Sequence, residues 1–331
     1  MSTQDPVLPE DSDAPAPLST GAILIAAIGL GAVLGLSLPA AAKQLSQAID
    51  VTLLLMIFLI FFELRFEAVV QAYGKIKFLA IAWSANFLII PLVALAIASL
   101  FLSSQPLVFV GLMFYFLAPC TDWFLGFTRL ANGDTELGAA LIPINLVSQL
   151  LLLPLWLWLL TKDAGLDALD AIPSMLLQWF VIPFVASQAV RLSIERFASG
   201  NWASSALSLA SPMMKLVLAA LIVQIFAANI ATLIAEPAVF AMVATAVCLF
   251  FVATLIVGEG LSRLGQLAYA QRALLAMTMA ARNAPLMLAF TALAMPNQPL
   301  VVAVIVSAML VEIPLLTALK RLIQCRNKQE E

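Results

Sequence analysis

The chain has 331 residues, 63% hydrophobic and only 11% charged, with a formal net charge of −3 and no histidine. Soluble chains run at roughly 45–50% apolar and about 25% charged, so a soluble globular class is excluded. Without histidine there is no His-based metal site, no His proton relay and no Ser–His or Cys–His nucleophile pair, and no enzyme or cofactor is expected.

Apolar runs of about 20 residues recur from end to end, which makes this an all-α polytopic membrane protein. Residues 1–18 are acidic and Pro-rich and read as a disordered tail. Ten spans follow, near 19–41, 48–63, 78–101, 107–130, 137–160, 172–191, 213–234, 238–257, 267–294 and 299–319. Residues 321–331 form a second tail. No basic residue precedes the first apolar run, so it reads as a retained helix and not a cleaved signal. Of the 16 Lys and Arg residues, Lys43 and Lys162 fall on connections at one face, Arg282 lies within a span, and the rest fall at the other face. The positive-inside rule makes that richer face cytoplasmic and places both termini there.

The fourth and ninth spans are interrupted, and the interruptions match. "FTRLANGDTELGAALI" (127–142) overlies "FTALAMPNQPLVVAVI" (290–305) without a gap, and Ala118-Pro119-Cys120 then overlies Ala281-Arg282-Asn283. The offset covers five spans. An odd number of helices per copy forces opposite orientations, so residues 19–160 and 172–320 read as two inverted five-helix repeats with discontinuous, crossing helices 4 and 9. This is a frequent plan of secondary transporters, whose substrate site lies at the paired breaks. Pro119 and Pro285 are the expected breaks, because proline removes a backbone donor and clashes with the preceding turn.

Three ionisable residues fall inside spans: Asp122, Arg282 and Glu312. Each costs a few kcal/mol or more at mid-bilayer and should find a partner in the bundle interior. Asp122 and Arg282 lie at the two breaks and are expected to pair. Glu312, in "LVEIPLL", has Gln149 as its repeat counterpart. It reads either as a proton carrier or as a structural acid bonded to backbone freed by Pro314. Asn145 joins Gln149 as a pathway candidate. Asp134 reads as turn chemistry in "NGD", and Cys248 as core packing. Cys120, directly after a break, is the one cysteine placed to meet a substrate.

These residues resemble the bile acid:sodium symporter superfamily, and more closely its arsenical-resistance branch, the arsenite efflux permeases. "APCT" (118–121) is similar to that branch's fourth-helix motif, with its functional cysteine at Cys120. "GD" (133–134) is similar to the turn that follows, and "LVEIPLL" (310–316) to the tenth-helix motif with its acid at Glu312. The resemblance implies a panel domain beside a core domain holding the crossed helices. It also implies departures. In "TMAARNAP", Thr278 stands where sodium-coupled members carry a Glu and Arg282 replaces a Gln, while Asn283 is retained. A guanidinium is a fixed cation, which argues against sodium there.

The expected function is export of arsenite or antimonite across a bacterial inner membrane, with Cys120 contacting the metalloid as substrate and Asp122, Arg282 and Asn283 shaping the site. Trivalent arsenic favours thiolate sulfur. No GxxxxGK[ST] motif is present, so a gradient must drive transport, and proton antiport is the natural form. The alternative is a carrier of a small organic anion with Arg282 as counter-charge. The bilayer and a small substrate are the expected partners, with no nucleic acid.

Overall fold

The computed structural model describes residues 17–63, 72–102, 105–121, 123–161, 177–197, 205, 207, 209–235, 237–295 and 298–330. Asp122, residues 1–16 of the expected first tail and Glu331 lie outside the described residues. The described chain is helical, in fourteen α-helices: α1 (Pro17–Ser37), α2 (Pro39–Ser46), α3 (Ile49–Glu63), α4 (Ile76–Ser84), α5 (Ile90–Leu102), α6 (Pro106–Leu117), α7 (Trp123–Leu130), α8 (Thr135–Thr161), α9 (Ile182–Phe197), α10 (Ala210–Ala235), α11 (Pro237–Gly265), α12 (Tyr269–Ala280), α13 (Ala284–Ala294) and α14 (Pro299–Glu330). Two π-helical turns, Ala85–Ile89 and Leu177–Val181, link α4 to α5 and lead into α9.

Local sequence explains several helix starts. Helices α1, α2, α6, α11 and α14 each open on a proline, whose fixed φ suits the first turn and whose missing N–H is not needed there. The turn after α7 carries Asn132 in the left-handed region at φ 55°. Asp134 then caps α8, its Oδ1 accepting the Leu137 N–H at 3.0 Å, which is the turn role read from "NGD". At the far end α14 continues to Glu330, so residues 321–330 of the expected second tail are helical. Past Pro314 it holds no proline or glycine to stop it.

Among the described residues, five helical stretches are long and apolar enough to cross a membrane: Ile76–Leu100, Thr135–Leu152, Ala210–Thr232, Pro237–Gly265 and Pro299–Cys325. A sixth arises if α2 and α3, bent by 47°, act as one span. The halves α6, α7, α12 and α13 have 12, 8, 12 and 11 residues. At about 1.5 Å per residue none crosses a hydrocarbon core of about 30 Å alone. Their outer neighbours carry exposed apolar side chains, such as Leu88, Leu92, Leu151, Val252 and Ile256, as a lipid-facing surface requires.

The helices pack in two groups. In one, α10 packs against α1, α2 and α3, and α3 against α9. In the other, α14 packs against α6, α11 and α13, α11 against α12 and α5, and α7 against α12 and α8. The main bridge between them is α10 against α14. Each group draws elements from both halves of the chain. Helices α1 and α10 approach closely at Gly31 and Gly35: a Cβ added at Gly35 would lie 2.5 Å from the Ala227 carbonyl oxygen. Small residues four apart let helix backbones meet in this way inside lipid. Cys248 corrects an expectation. It is exposed on α11 beside exposed Leu249, and is not in the core.

Candidate functional site

The two interruptions meet. Helix α6 ends at Leu117, and Ala118 is extended (φ −103°, ψ 100°) because the following proline disfavours helical geometry for the residue before it. Helix α12 ends at Ala280, and Ala281 is extended as well (φ −77°, ψ 137°). The unwound strands run antiparallel with Pro119 opposite Arg282. The Cys120 N–H donates to the Ala281 carbonyl at 3.2 Å, and the Asn283 N–H donates to the Ala118 carbonyl at 2.8 Å. Each break thus satisfies the backbone of the other, which is how non-helical chain survives at such depth. Pro285 sits in the first turn of α13, just after the break.

Between these two bonds, Pro119 has no N–H to place and the N–H of Arg282 points elsewhere. It donates to Glu312 Oε1 at 2.8 Å. The same oxygen accepts from Trp123 Nε1 at 3.1 Å, and Oε2 accepts from the Tyr115 hydroxyl at 2.9 Å. Glu312 is fully buried. Its carboxylate therefore ties α14 to α6, to α7 and to the second break at once. Glu312 does bond to backbone, as its structural reading expects, but the donor is the N–H of Arg282 and not backbone freed by Pro314.

Arg282 is fully buried, and its side chain turns away from its own backbone partner. Nη1 donates to the Phe116 carbonyl at 3.1 Å; Nη2 reaches the Thr278 carbonyl at 2.8 Å, the Met279 carbonyl at 2.6 Å and Asn86 Oδ1 at 3.3 Å. The carbonyls belong to the last turns of α6 and α12, where helix dipoles present negative partial charge. The guanidinium also lies 5.6 Å from the Phe250 ring centroid, within cation–π range. All these partners are neutral. The expected pairing with Asp122 falls on a residue outside those described; among the described residues the guanidinium bonds to carbonyl and amide oxygens.

A buried polar chain continues from there. Thr278 Oγ1 accepts from Asn86 Nδ2 at 3.1 Å and from Asn145 Nδ2 at 3.4 Å. So Asn145 of α8 reaches the crossing through Thr278. Among the described residues Gln149, one turn further along α8, donates to Met287 Sδ at 3.8 Å, and Gln149 Oε1 and Asn145 Oδ1 have no hydrogen-bond partner. Asn283 caps α13, accepting the Leu286 N–H at 3.3 Å, and donates to Thr121 Oγ1 at 3.0 Å. Cys120, 1% exposed, sits between Pro119 and Thr121 in this knot. Asn283→Ala removes both the cap and the cross-break bond. It is expected to cost about 1–3 kcal/mol, read as a lower thermal midpoint in detergent with Thr121→Ala lowering it less.

Sequence reading singled out Cys120, Arg282, Asn283, Glu312, Asn145 and Gln149 and had no place for Asn86, Tyr115 or Thr121. Asn86 left a signal, an amide alone in the apolar run "ANFLII". It lies in the π turn Ala85–Ile89, and such turns often mark functional positions.

Residues 50–237, more than half of the chain, match the Sodium Bile acid symporter family. The chain belongs to that family. It is a transporter of the membrane and not an enzyme. The chain is also similar to "Arsenical-resistance protein Acr3" of Corynebacterium glutamicum, at 26% identity over 257 residues, 74% of this chain and 69% of that protein. The family match contains the first break, Asn86, Asn145 and Gln149, while the second break and Glu312 lie beyond it.

Proposed function

We propose that this chain exports arsenite, and antimonite by the same chemistry, across a bacterial inner membrane. It works as a ten-span secondary carrier of two inverted repeats, with both termini cytoplasmic, by alternating access and proton antiport. The observation that carries this reading is Cys120: a buried thiol in the crossing itself, its backbone N–H tied to the opposite break. A soft metalloid prefers sulfur, and a single thiol captures it reversibly where three would retain it. The similarity to an arsenical-resistance protein supports the same substrate. Glu312 and Asp122 are the candidates for the proton, and Asn145 and Gln149 line the path with unpartnered oxygens.

The organic-anion reading asks Arg282 to face its substrate. The guanidinium is instead taken up by three carbonyls and an amide oxygen, which weighs against it. The test is arsenite accumulation in an arsenite-sensitive bacterium carrying the protein, its Cys120→Ser variant or an empty vector, at matched membrane expression. The expected result is lowered accumulation with the protein and none of that lowering with Cys120→Ser. Full activity in Cys120→Ser would sink the thiol-dependent mechanism.

A further inference from the structure

The surroundings of Arg282 are those of a bound cation. Phe116 and Met279 offer carbonyl oxygens from the last turns of two half-helices, Thr278 offers a third carbonyl, and Asn86 offers an amide oxygen. Among the described residues no carboxylate bonds the guanidinium, and every donor–acceptor distance lies between 2.6 and 3.3 Å. Hard monovalent cations take such neutral oxygens, and the C-terminal ends of broken helices are where transporters coordinate them. The guanidinium is fully buried and its Nε has no hydrogen-bond partner. The carbonyl ends of α6 and α12 carry negative partial charge, which favours a cation at this place.

We propose that Arg282 fills, with its own side chain, a cation site built from the ends of α6 and α12, so that the carrier needs no sodium ion there. The family's name attaches to sodium symport, and this chain supplies the positive charge covalently. The inference does not depend on which substrate is carried. Its corollary is that removing the guanidinium uncovers an oxygen-lined site able to take a small cation. That separates it from a structural role, since a lost packing group or hydrogen-bond donor is not restored by an ion.

The experiment compares thermal unfolding of the purified full chain and of Arg282→Ala in detergent. Sodium, choline and low-millimolar guanidinium chloride are used at constant ionic strength. The wild-type midpoint is expected to be the same in sodium and choline. Arg282→Ala is expected to melt several degrees lower in choline and to recover much of that loss, saturably, with sodium or guanidinium. Selective stabilisation of the wild type by sodium overturns the proposal, and so does an Arg282→Ala protein that responds to neither cation. If Arg282→Ala cannot be recovered, Arg282→Gln is measured against the same criteria. Failure to recover either variant from sodium-containing buffer also counts against it, because an open cation site would refill there. Loss of arsenite export with these results intact would fault the substrate assignment alone.

Discussion

Glu312→Ala is expected to remove most folded protein from the membrane. The carboxylate accepts from the Tyr115 hydroxyl, Trp123 Nε1 and the Arg282 N–H, three donors on three separate elements. Alanine leaves all three without their acceptor. An unsatisfied buried donor costs about 1–3 kcal/mol, and whole proteins are stable by only about 5–15 kcal/mol. Three such losses at one junction take a large share of that total, even if they do not add fully. Glu312→Gln separates structure from chemistry. Its carbonyl oxygen can keep Trp123 and the Arg282 N–H, while its NH2 can donate to the Tyr115 oxygen, which accepts as well as donates. The expected result is a folded Gln variant, monodisperse in detergent, that no longer lowers arsenite accumulation. A Gln variant exporting at the wild-type rate would show that Glu312 carries no proton. An Ala variant as stable as the wild type would refute the junction role.

The contrast between Glu312 and Arg282 shows what a sequence of this kind reveals. Both stood out as charges inside apolar runs, and both are buried. The breaks stood out too, through Pro119 and the matched Phe-Thr pairs. What Arg282 bonds to did not, because three of its four acceptors are main-chain carbonyls. Every residue has a carbonyl, so only the fold could select those of Phe116, Thr278 and Met279. Cys248 illustrates a second limit. In water, the apolar stripe of a helix marks its buried face. On α11 the outward face is apolar too, with Leu249, Val252 and Ile256 exposed, so periodicity could not place the cysteine. The grouping of α1, α3, α9 and α10 was hidden for another reason: it joins segments far apart in the chain. A local clue did exist, the glycines at 31 and 35.

Those glycines carry the other large expected effect. Gly35→Leu should destabilise the helix pair α1–α10, while Gly29→Leu on the same helix should not. A Cβ at Gly35 would sit 2.5 Å from both the Ala227 carbonyl oxygen and Ile230 Cγ2, and one at Gly31 would sit 2.7 Å from Phe226 Cβ and the Val223 carbonyl oxygen. Two of those obstacles are α10 backbone, which cannot rotate aside as a side-chain end can. At Gly29 nothing lies within 4 Å. Inside a bilayer, packing of this sort is a main source of helix association, because apolar side chains gain nothing by leaving lipid for each other. Dispersion contacts weaken steeply once helices are pushed apart by even about 1 Å, and overpacking costs about 1–3 kcal/mol or more. A Leu at position 35 should therefore lower the thermal midpoint in detergent by several degrees or block recovery, with the Leu at position 29 as the matched control for added bulk. Equal midpoints for the two variants would mean that α1 shifts freely on α10. The glycine contact would then be a consequence of how other elements hold the pair, and not its cause.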